Sequence, residues 1–533
     1  MVLRSIKIMF FILLSFTLIA CSTGEGEKVD KSEDEALGTD NKSNGIGEAL
    51  KVAVPAAPPG LDTHVSTAQN IADAARLIFE NLVTVDSDFN VRPMLAESWE
   101  QSEDRKTITF NLRKGVHFHN GKEMIAEDVI ASLERWFRIS SLGSDEFEGA
   151  TLKAEDDYTV VLELPQVMSA ALSTLAYGGG NFASIMPKEM IDIAPDTGAV
   201  EYIGTGPFKF DEWKQDQYIY LARNEEYQPI DAPYDGLYGK KEALVEGIKF
   251  IFVPDASTRV AGIQTGEYDI ITDTHFDMVS QLSADPEIEV SISPYAELNI
   301  FYNKTRSPFM DVRVREAVAV AIDKTAILQA SFSNEDYYIM DHSMMMNYQA
   351  ALWSSDAGKV EYNLPSDVEK AKKLLKEAGY NGEKITMITS KEQDHYYNAS
   401  IVLQEQLEQI GMNVNLEIYD WPTYLDKRSE KDAFDLLVGA TTGKLNPTSM
   451  GFLRDNFVGW TKDEKLDKIV HEFNSALSMD EAKLVYNDLQ EWFYDYKPVT
   501  KIGDFTKVNA TRNNVKGYDF FDGHIFWNVT NSK

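Results

Sequence analysis

Hydrophobic residues in the first half of the chain recur with strand and helix spacing. Residues 50–54 and 107–112 alternate between apolar and polar side chains, which predicts strands, and residues 158–164 are predicted as the second strand of a hairpin after the acidic turn at 155–157. Helical spacing predicts helices over about 70–79 and 126–137. This half of the chain therefore predicts a mixture of short strands and helices.

The second half alternates helices and strands more regularly. Asp311 can cap one helix, and Ser366 begins a capping box before a second helix that ends at Gly379. A third helix is predicted over 399–410, followed by an alternating strand over 414–418. Because strands linked through helices favour parallel pairing, we expect an α/β fold with a largely parallel sheet.

The first 20 residues have the pattern of a secretion signal. Arg4 and Lys7 precede an apolar run over 8–20, shorter than the roughly 20 residues that span a bilayer. Cys21, the only cysteine of the chain, follows Leu-Ile-Ala, an order that resembles the lipobox of bacterial lipoproteins. The alternative is an ordinary signal peptide with an incidental cysteine. We expect residues 1–20 to be removed and Cys21 to carry a membrane-anchoring lipid.

The composition predicts an acidic protein that is joined to its lipid anchor by a linker. Residues 21–48 are polar, acidic and free of aromatic side chains, so they predict a disordered linker behind the lipid anchor. The chain has 51 Lys and Arg against 85 Asp and Glu, and a net charge of −34 repels nucleic acid as a partner. With a single cysteine, the body has no internal disulfide to stabilise it.

Recognised catalytic and metal-binding motifs are missing from the sequence. None of the histidines stands in a His-Glu-x-x-His spacing, and neither a Gly-x-Ser-x-Gly elbow nor a P-loop occurs. His117 and His119 share one strand face, but satisfied or exposed histidines are the simpler interpretation. We therefore expect a protein that is not an enzyme and holds no cofactor, with an extracellular hydrolase as the less favoured hypothesis.

Four separated segments carry a family resemblance. They are residues 92–99 (RPMLAESW), 107–121 (TITFNLRKGVHFHNG), 204–208 (GTGPF) and 308–317 (PFMDVRVREA). Together they resemble the family 5 extracellular solute-binding proteins, which are the dipeptide, oligopeptide and nickel receptors of ABC importers. The resemblance covers nearly all of residues 49–533.

The resemblance implies a two-lobed, periplasmic-binding-protein-like fold of the class II or cluster C type. Lobe I would comprise residues 49–294 with 504–533, including an inserted subdomain at about 95–203. Lobe II would comprise residues 295–503. Two strands would cross between the lobes near 293–294 and 503–504.

The resemblance also implies the function. Such a lipoprotein captures an oligopeptide between its lobes and delivers it to the permease and ATPase subunits of an ABC transporter. It would act as a monomer outside the cytoplasm, in the periplasmic space or at the outer face of the cell membrane. A nickel or other metal chelate, or another small organic solute, is the alternative ligand.

Segments that match pocket-lining regions of the family supply candidate ligand contacts. An enclosed ligand needs aromatic walls and a few oriented polar groups. The candidates are Trp421, Tyr424, Thr441, Thr442, Asn446, Tyr396, Tyr397, Trp353, Lys391 and Met345. We expect Trp421 and Tyr424 at a strand-to-helix junction, and Tyr396 and Tyr397 just before the helix at 399–410. Any single aromatic among them can equally belong to a core.

The resemblance breaks where dipeptide-binding relatives bind the peptide termini. Their Asp for the peptide amine comes from a loop that matches residues 439–447, where GATTGKLNP contains no acid. Because an unpaired charge in a closed cleft is costly, a peptide here must be held differently. Lys391 loosely matches the Arg that binds the peptide carboxylate in the relatives, although an exposed lysine is the plainer interpretation.

Residues 342–346, His-Ser-Met-Met-Met, have an unusual composition. Imidazole with thioethers can coordinate a soft metal. Unbranched methionines also form adaptable apolar walls or pack in cores. We favour the wall, with Met345 as a ligand contact, and keep the metal interpretation open.

Overall fold

The computed structural model describes residues 46–66, 69–350 and 352–532. The predicted signal peptide, Cys21 and nearly all of the predicted linker lie outside the described residues. Within these ranges, no helix combines the length and apolar character needed to span a bilayer.

The strands of the described residues are short, apart from two long ones near the middle and the end of the chain. In chain order they are β1 Leu50–Val54, β2 Val83–Val85, β3 Val91–Pro93, β4 Ala96–Gln101, β5 Thr107–Leu112, β6 Thr151–Asp156, β7 Thr159–Glu163, β8 Phe208–Lys214, β9 Tyr218–Arg223, β10 Gly247–Phe252, β11 Ile270–Thr274, β12 Ile288–Tyr302, β13 Tyr338–Ile339, β14 Lys384–Ser390, β15 Asn413–Tyr419, β16 Leu436–Thr442, β17 Val499–Arg512, β18 Val515–Lys516, β19 Asp519–Phe520, β20 His524–Ile525 and β21 Thr530–Asn531.

The helices are concentrated in the second half of the chain. In chain order they are α1 Gln69–Ala75, α2 Ala126–Ile139, α3 Ser141–Glu146, α4 Ala171–Ala176, α5 Lys188–Ile193, α6 Ala256–Thr265, α7 Val279–Ser283, α8 Val312–Ala321, α9 Lys324–Phe332, α10 Lys359–Tyr362, α11 Val368–Ala378, α12 Asp394–Gln409, α13 Trp421–Ser429, α14 Glu464–Ser475 and α15 Met479–Tyr496.

One large mixed sheet runs through both lobes. Its strand order is β15-β14-β16-β12-β17-β11-β1-β10-β9-β8, and β13 also pairs with β17. Parallel pairs join β1 to β10 and β11, and β14 to β15 and β16, whereas the other neighbours are antiparallel. The α/β class is confirmed, but the expectation of a largely parallel sheet is wrong. Hairpins and the two long strands contribute antiparallel pairs that local pattern does not reveal.

Strands β12 and β17 cross between the two halves of this sheet. They are 15 and 14 residues long and pair antiparallel, from Ile288 opposite Arg512 to Phe301 opposite Val499. Strand β16 pairs with the second half of β12, and β11 pairs with the second half of β17. The two strands therefore form the continuous connection between the lobes.

Hydrophobic cores lie on both sides of this crossing. The first core combines β1 and β8–β10 with residues of the C-terminal tail, including the buried Phe526 and Trp527. A separate core surrounds Leu298 and Ile300 and includes residues of α8, α12 and β16. Within the first lobe, a second, antiparallel sheet of order β4-β5-β7-β6 carries helix α2 against it.

Side-chain caps explain where several helices begin and end. Asp311 caps α8 as predicted. Helix α11 is capped by Asp367 rather than Ser366, because the Asp367 carboxylate accepts the backbone N–H of Lys370. The capping box predicted at Ser366 is therefore displaced by one residue. The same helix ends at Gly379, which takes the left-handed conformation at φ 80°.

Helix α12 begins five residues earlier than predicted. It starts at Asp394, not Ala399, so Tyr396 and Tyr397 lie in its first turn rather than before it. The expected position of these two tyrosines ahead of the helix is wrong. The pattern did not predict this start, because the first turn of α12 is polar and its apolar residues do not follow the helical spacing of the later turns.

A buried ion pair joins α2 to the segment that follows β1. Arg135 Nη2 lies 2.7 Å from Asp62 Oδ2, and the two side chains are 1% and 2% exposed. Burial opposes ionisation of Asp62, but the hydrogen bond from Arg135 holds the pKa of that carboxyl below its usual range. Burial lowers the pKa of neighbouring His64 to about 4, so its Nδ1 accepts from Arg135 Nη1 at 3.0 Å.

Arg135→Met is expected to lower the free energy of unfolding by about 3–5 kcal/mol, because Asp62 would remain buried without its partner. Urea unfolding followed by tryptophan fluorescence measures this change. Arg138→Met is the matched control on the same helix, since Arg138 and Asp196 are 56% and 63% exposed. We expect about 0–1 kcal/mol for that control. Equal losses in the two variants would contradict a special role for the buried pair.

Candidate functional site

A cavity of about 200 Å³ lies where the two lobes meet. Its walls come from three parts of the fold: the turn between β2 and β3, the crossing strand β12, and the tip of the β19–β20 hairpin. Residues Tyr348 and Thr442 close it from the second lobe. The residues used below are Phe89, Tyr295, Tyr348, Thr442, Phe521 and Asp522.

Aromatic side chains form most of the cavity wall. The Phe89 ring lies 5.8 Å from the ring of Tyr348 and 5.1 Å from that of Phe521. Phe89 is held at the tip of its turn with φ 63°, a left-handed conformation that an aromatic residue seldom adopts. Gly443 lies against Tyr348, because a Cβ there would lie 2.5 Å from the tyrosine hydroxyl and the ring would have to shift.

Charged groups lie at the cavity and directly behind it. Burial raises the pKa of Asp522, which lines the cavity, to about 6, although Arg76 and Lys444 act in the opposite direction. Burial lowers the pKa of Lys444 to about 8. Its ammonium group donates to the Tyr177 hydroxyl at 3.0 Å and lies 4.3 Å from the ring centroid. The site therefore holds one carboxyl group with two basic side chains nearby.

Hydrogen bonds join the lobes beside the cavity. The Asn446 side chain accepts from Ser173 Oγ and donates to Thr174 Oγ1, each at 2.9 Å. Arg454 of the second lobe lies 3.0 Å from Glu146 of the first. These contacts hold the lobes together in this structure.

The predicted residues at the end of β16 and in the loop after it have different roles. Thr442 lines the cavity, whereas Thr441 is buried and accepts from Asn299 Nδ2 at 3.1 Å. Asn446 contacts the opposite lobe. Contact of Asn446 or Thr441 with a ligand stays a prediction.

The aromatic candidates Trp421, Tyr424 and Tyr396 form one cluster. Trp421 stacks on Tyr424 at 5.2 Å, and Tyr396 lies 6.1 Å from Trp421. Tyr424 is fully buried, and the Tyr396 hydroxyl accepts the backbone N–H of Ala440. The structure brings these three together near β16, but among the described residues they are not part of the cavity wall.

The remaining candidates lie apart from the inter-lobe cavity as the described residues define it. Trp353 is buried against Phe473 and donates its indole N–H to the Leu445 carbonyl. Met345 is also fully buried in that core. Lys391 is exposed and lies 5.3 Å from the ring centroid of Tyr397.

The His342–Met346 segment packs inward. The three methionines are buried, and a ring nitrogen of His342 lies 2.7 Å from the Ser355 carbonyl. Among the described residues, no group of three or more His, Cys, Asp or Glu side chains is arranged to hold a metal ion.

A larger cavity of about 480 Å³ opens elsewhere, on the second lobe. It lies among α8, α10, α11 and the end of α15, and its lysines already have partners: Lys497 pairs with Glu316 and Glu361, and Lys324 donates to the Tyr362 carbonyl. Its wall belongs to one lobe only. The smaller inter-lobe cavity is therefore the candidate ligand site.

Sequence reasoning missed most of the residues that wall this cavity. No motif marks these residues: Phe89 and Phe521 lie in turns, Tyr295 lies at a register shift of β12, and Tyr348 lies in a short 3-10 helix. The Asp-Gly pair at 522–523 is a hairpin signal that could have indicated the β19–β20 turn.

Comparison with known proteins identifies the fold and family. The sequence profile of bacterial extracellular solute-binding proteins, family 5 middle region, matches residues 90–463. The probable peptide ABC transporter periplasmic-binding protein y4tO of Sinorhizobium fredii is 29% identical over 484 residues, which cover 87% of this chain and 90% of that protein.

Solved structures share the architecture. AgaA from A. tumefaciens R10, in complex with agropinic acid, superposes with a TM-score of 0.80 at 24% identity, covering 91% of this chain and 99% of AgaA. DppA from Helicobacter pylori, in complex with the peptide STSA, gives 0.76 at 25% identity, covering 92% and 99% of the two chains. Both likenesses confirm the expected two-lobed fold.

The family profile covers most of the chain, including the predicted signature segments at 92–99, 107–121, 204–208 and 308–317. Its members are solute-binding proteins rather than enzymes. This chain belongs to the bacterial extracellular solute-binding proteins of family 5.

Proposed function

We propose that this protein captures a peptide between its two lobes and delivers it to the permease of an ABC importer. The observation that carries the proposal is a cavity walled by both lobes and by the crossing strand β12. Such a site favours a ligand that contacts both lobes at once and so stabilises the closed state. The peptide-binding names of similar proteins, y4tO and DppA among them, support the ligand class.

The domain division follows the same proposal. Residues 49–294 with 504–533 form lobe I, with the inserted subdomain at about 95–203, and residues 295–503 form lobe II. The packing of the C-terminal Trp527 with strands β8–β10 in one hydrophobic core supports this division. We propose that the protein acts as a monomer, with permease and ATPase subunits as its protein partners and no nucleic-acid partner.

A small organic solute other than a peptide is the second candidate. The cavity volume of about 200 Å³ favours it, since sites for drug-sized ligands occupy about 300–1,000 Å³. The complex of AgaA with agropinic acid supports the same candidate. A metal chelate remains the alternative from the wider family resemblance.

Native mass spectrometry of the protein purified without denaturant is expected to detect a bound peptide. Protein unfolded, dialysed and refolded serves as the ligand-free control. Adding the identified peptide to that control is expected to reduce the radius of gyration in small-angle scattering, because the ligand draws the lobes together. A nickel or iron chelate as the bound species, or no compaction on peptide addition, would contradict the proposed function.

Asn446→Ala is expected to shift the ligand-free protein toward an open state. The variant removes two inter-lobe hydrogen bonds, each contributing about 0.5–1.5 kcal/mol, so closure should weaken by about 1–3 kcal/mol. Small-angle scattering measures the resulting increase in the radius of gyration. The control is Asn363→Ala, whose exposed side chain donates to the Lys359 carbonyl within the second lobe. Scattering identical to wild type would remove Asn446 from the closing interface.

We further propose that Cys21 is lipidated and anchors the protein to the cell membrane. The basic and apolar N-terminal segment and the Leu-Ile-Ala-Cys order support this proposal. Cells grown with radioactive palmitate are expected to label the wild-type protein in the membrane fraction. Cys21→Ala should carry no label and leave that fraction. An unlabelled wild-type protein would refute the anchor.

A further inference from the structure

Aromatic rings from separate parts of the fold converge on the inter-lobe cavity. Phe89 lies in the β2–β3 turn, Phe520 and Phe521 in the β19–β20 hairpin, Tyr295 on the crossing strand β12, and Tyr348 on the second lobe. We propose that this cavity encloses one uncharged aromatic side chain of the bound peptide, and that Phe89 selects for it. This inference rests on the proposed function and specifies the class of peptide.

The β2–β3 turn is built to present the Phe89 ring. The Asp86 carboxylate accepts the backbone N–H groups of Asp88 at 3.1 Å and of Asn90 at 2.8 Å, and Phe89 N–H donates to the Asp86 carbonyl at 3.0 Å. These bonds hold Phe89 at φ 63°, a conformation that a bulky residue keeps only where its surroundings impose it. The ring therefore projects from a fixed turn rather than from a flexible loop.

The rings around Phe89 belong to both lobes. The Phe89 centroid lies 5.1 Å from that of Phe521 in the first lobe and 5.8 Å from that of Tyr348 in the second. Tyr295 is held from outside the cavity wall, because the Lys507 ammonium group lies 3.8 Å from its ring centroid. An aromatic group enclosed among these rings contacts both lobes at once, so its binding favours the closed state.

The charged groups at the cavity already interact within the protein. Asp522 has an interaction partner, and the Lys444 ammonium group donates to the Tyr177 hydroxyl. Burial keeps the pKa of Tyr348 well above its usual range, so the hydroxyl of this wall residue stays neutral. A charged ligand group would have to compete with these existing interactions, and burying it without a partner is costly. An uncharged ring needs no counter-ion.

The cavity volume matches a single side chain. Its volume is about 200 Å³, and an apolar cavity of about 150 Å³ is large enough to hold benzene. Sites that enclose a whole drug-sized ligand are larger, at about 300–1,000 Å³. We therefore assign the cavity to one aromatic ring of the peptide and not to the whole ligand.

Isothermal titration of the purified protein with matched probes tests the inference. The probes are the dipeptides Ala-Phe, Phe-Ala, Ala-Lys, Ala-Glu and Ala-cyclohexylalanine, with phenylacetamide as a neutral aromatic compound that is not a peptide. We expect the better phenylalanine dipeptide to bind at least roughly tenfold more tightly than the lysine and glutamate dipeptides, because it buries its ring. The cyclohexyl dipeptide should bind roughly 2- to 13-fold more weakly than Ala-Phe, since aromatic pairing contributes beyond buried area.

Phe89→Gly removes the ring and relieves the left-handed backbone, so the variant should fold. We expect it to lose at least roughly tenfold in affinity for the phenylalanine dipeptide and to bind Ala-Lys within about twofold of wild type. Asp216→Gly is the matched control, because Asp216 is an exposed turn residue with φ 56° in the β8–β9 hairpin. Its affinities should stay within about twofold of wild type, since glycine there relieves similar strain without touching the cavity.

The possible results separate the inference from the proposed function. Equal affinity for aromatic, cyclohexyl and charged dipeptides, or an unchanged aromatic preference in folded Phe89→Gly, overturns the inference and leaves peptide capture standing. Binding of phenylacetamide without any dipeptide, dependent on Phe89, supports the aromatic site and overturns peptide capture. No binding of any probe by folded protein overturns both. If Phe89→Gly fails to fold, the wild-type preference decides: a phenylalanine dipeptide that binds no better than Ala-Lys overturns the inference.

Discussion

The pairing of β12 with β17 is the constraint on which both the fold and the cavity depend. The two strands pair through the crossing between lobes, so the lobes share one backbone ladder rather than a flexible linker. Lys501 is buried on β17 between two carboxylates, with Nζ 2.7 Å from Asp504 and 3.5 Å from Glu297. Burial raises the pKa of both carboxyl groups, and they in turn hold the lysine protonated despite its own burial. This cluster fixes the two strands against each other where they pass between the lobes.

The same crossing builds part of the ligand cavity. A register shift between Pro294 and Ala296 interrupts the ladder at Tyr295, and Pro294 and Tyr295 both line the cavity. The Asp504 carboxylate also accepts the backbone N–H of Asn347 at 2.7 Å, next to the cavity residue Tyr348. The charge cluster therefore orders one wall of the cavity as well as the connection between the lobes. Changes in lobe orientation must preserve this cluster, because separating its buried charges is costly.

The sequence pattern predicted several helices and strands, but it did not predict features that depend on contacts between segments far apart in the chain. Strands β1 and β5 occur where alternation predicts them, and Gly379 ends α11 as expected. The start of α12 and the mixed sheet were mispredicted, because the first has a polar opening turn and the second depends on pairings between β12, β17 and β11 that are far apart in the chain. The cavity is less predictable for the same reason. The residues that wall it come from segments more than 400 positions apart, each unremarkable in its local context.

The loop at 439–447 shows how closure and recognition can lie on different elements. In a relative that binds a peptide amine there, the loop would need an acid, but here it contains Lys444 and Asn446. Both side chains contact the first lobe: Asn446 contacts Ser173 and Thr174, and Lys444 contacts Tyr177. These hydrogen bonds join the loop to the first lobe, so the loop contributes to the contact between the lobes. Among the described residues, the carboxyl group that lines the cavity is that of Asp522, on the C-terminal hairpin of the first lobe. The contacts that join the lobes and the acidic part of the cavity wall therefore lie on different elements of the fold.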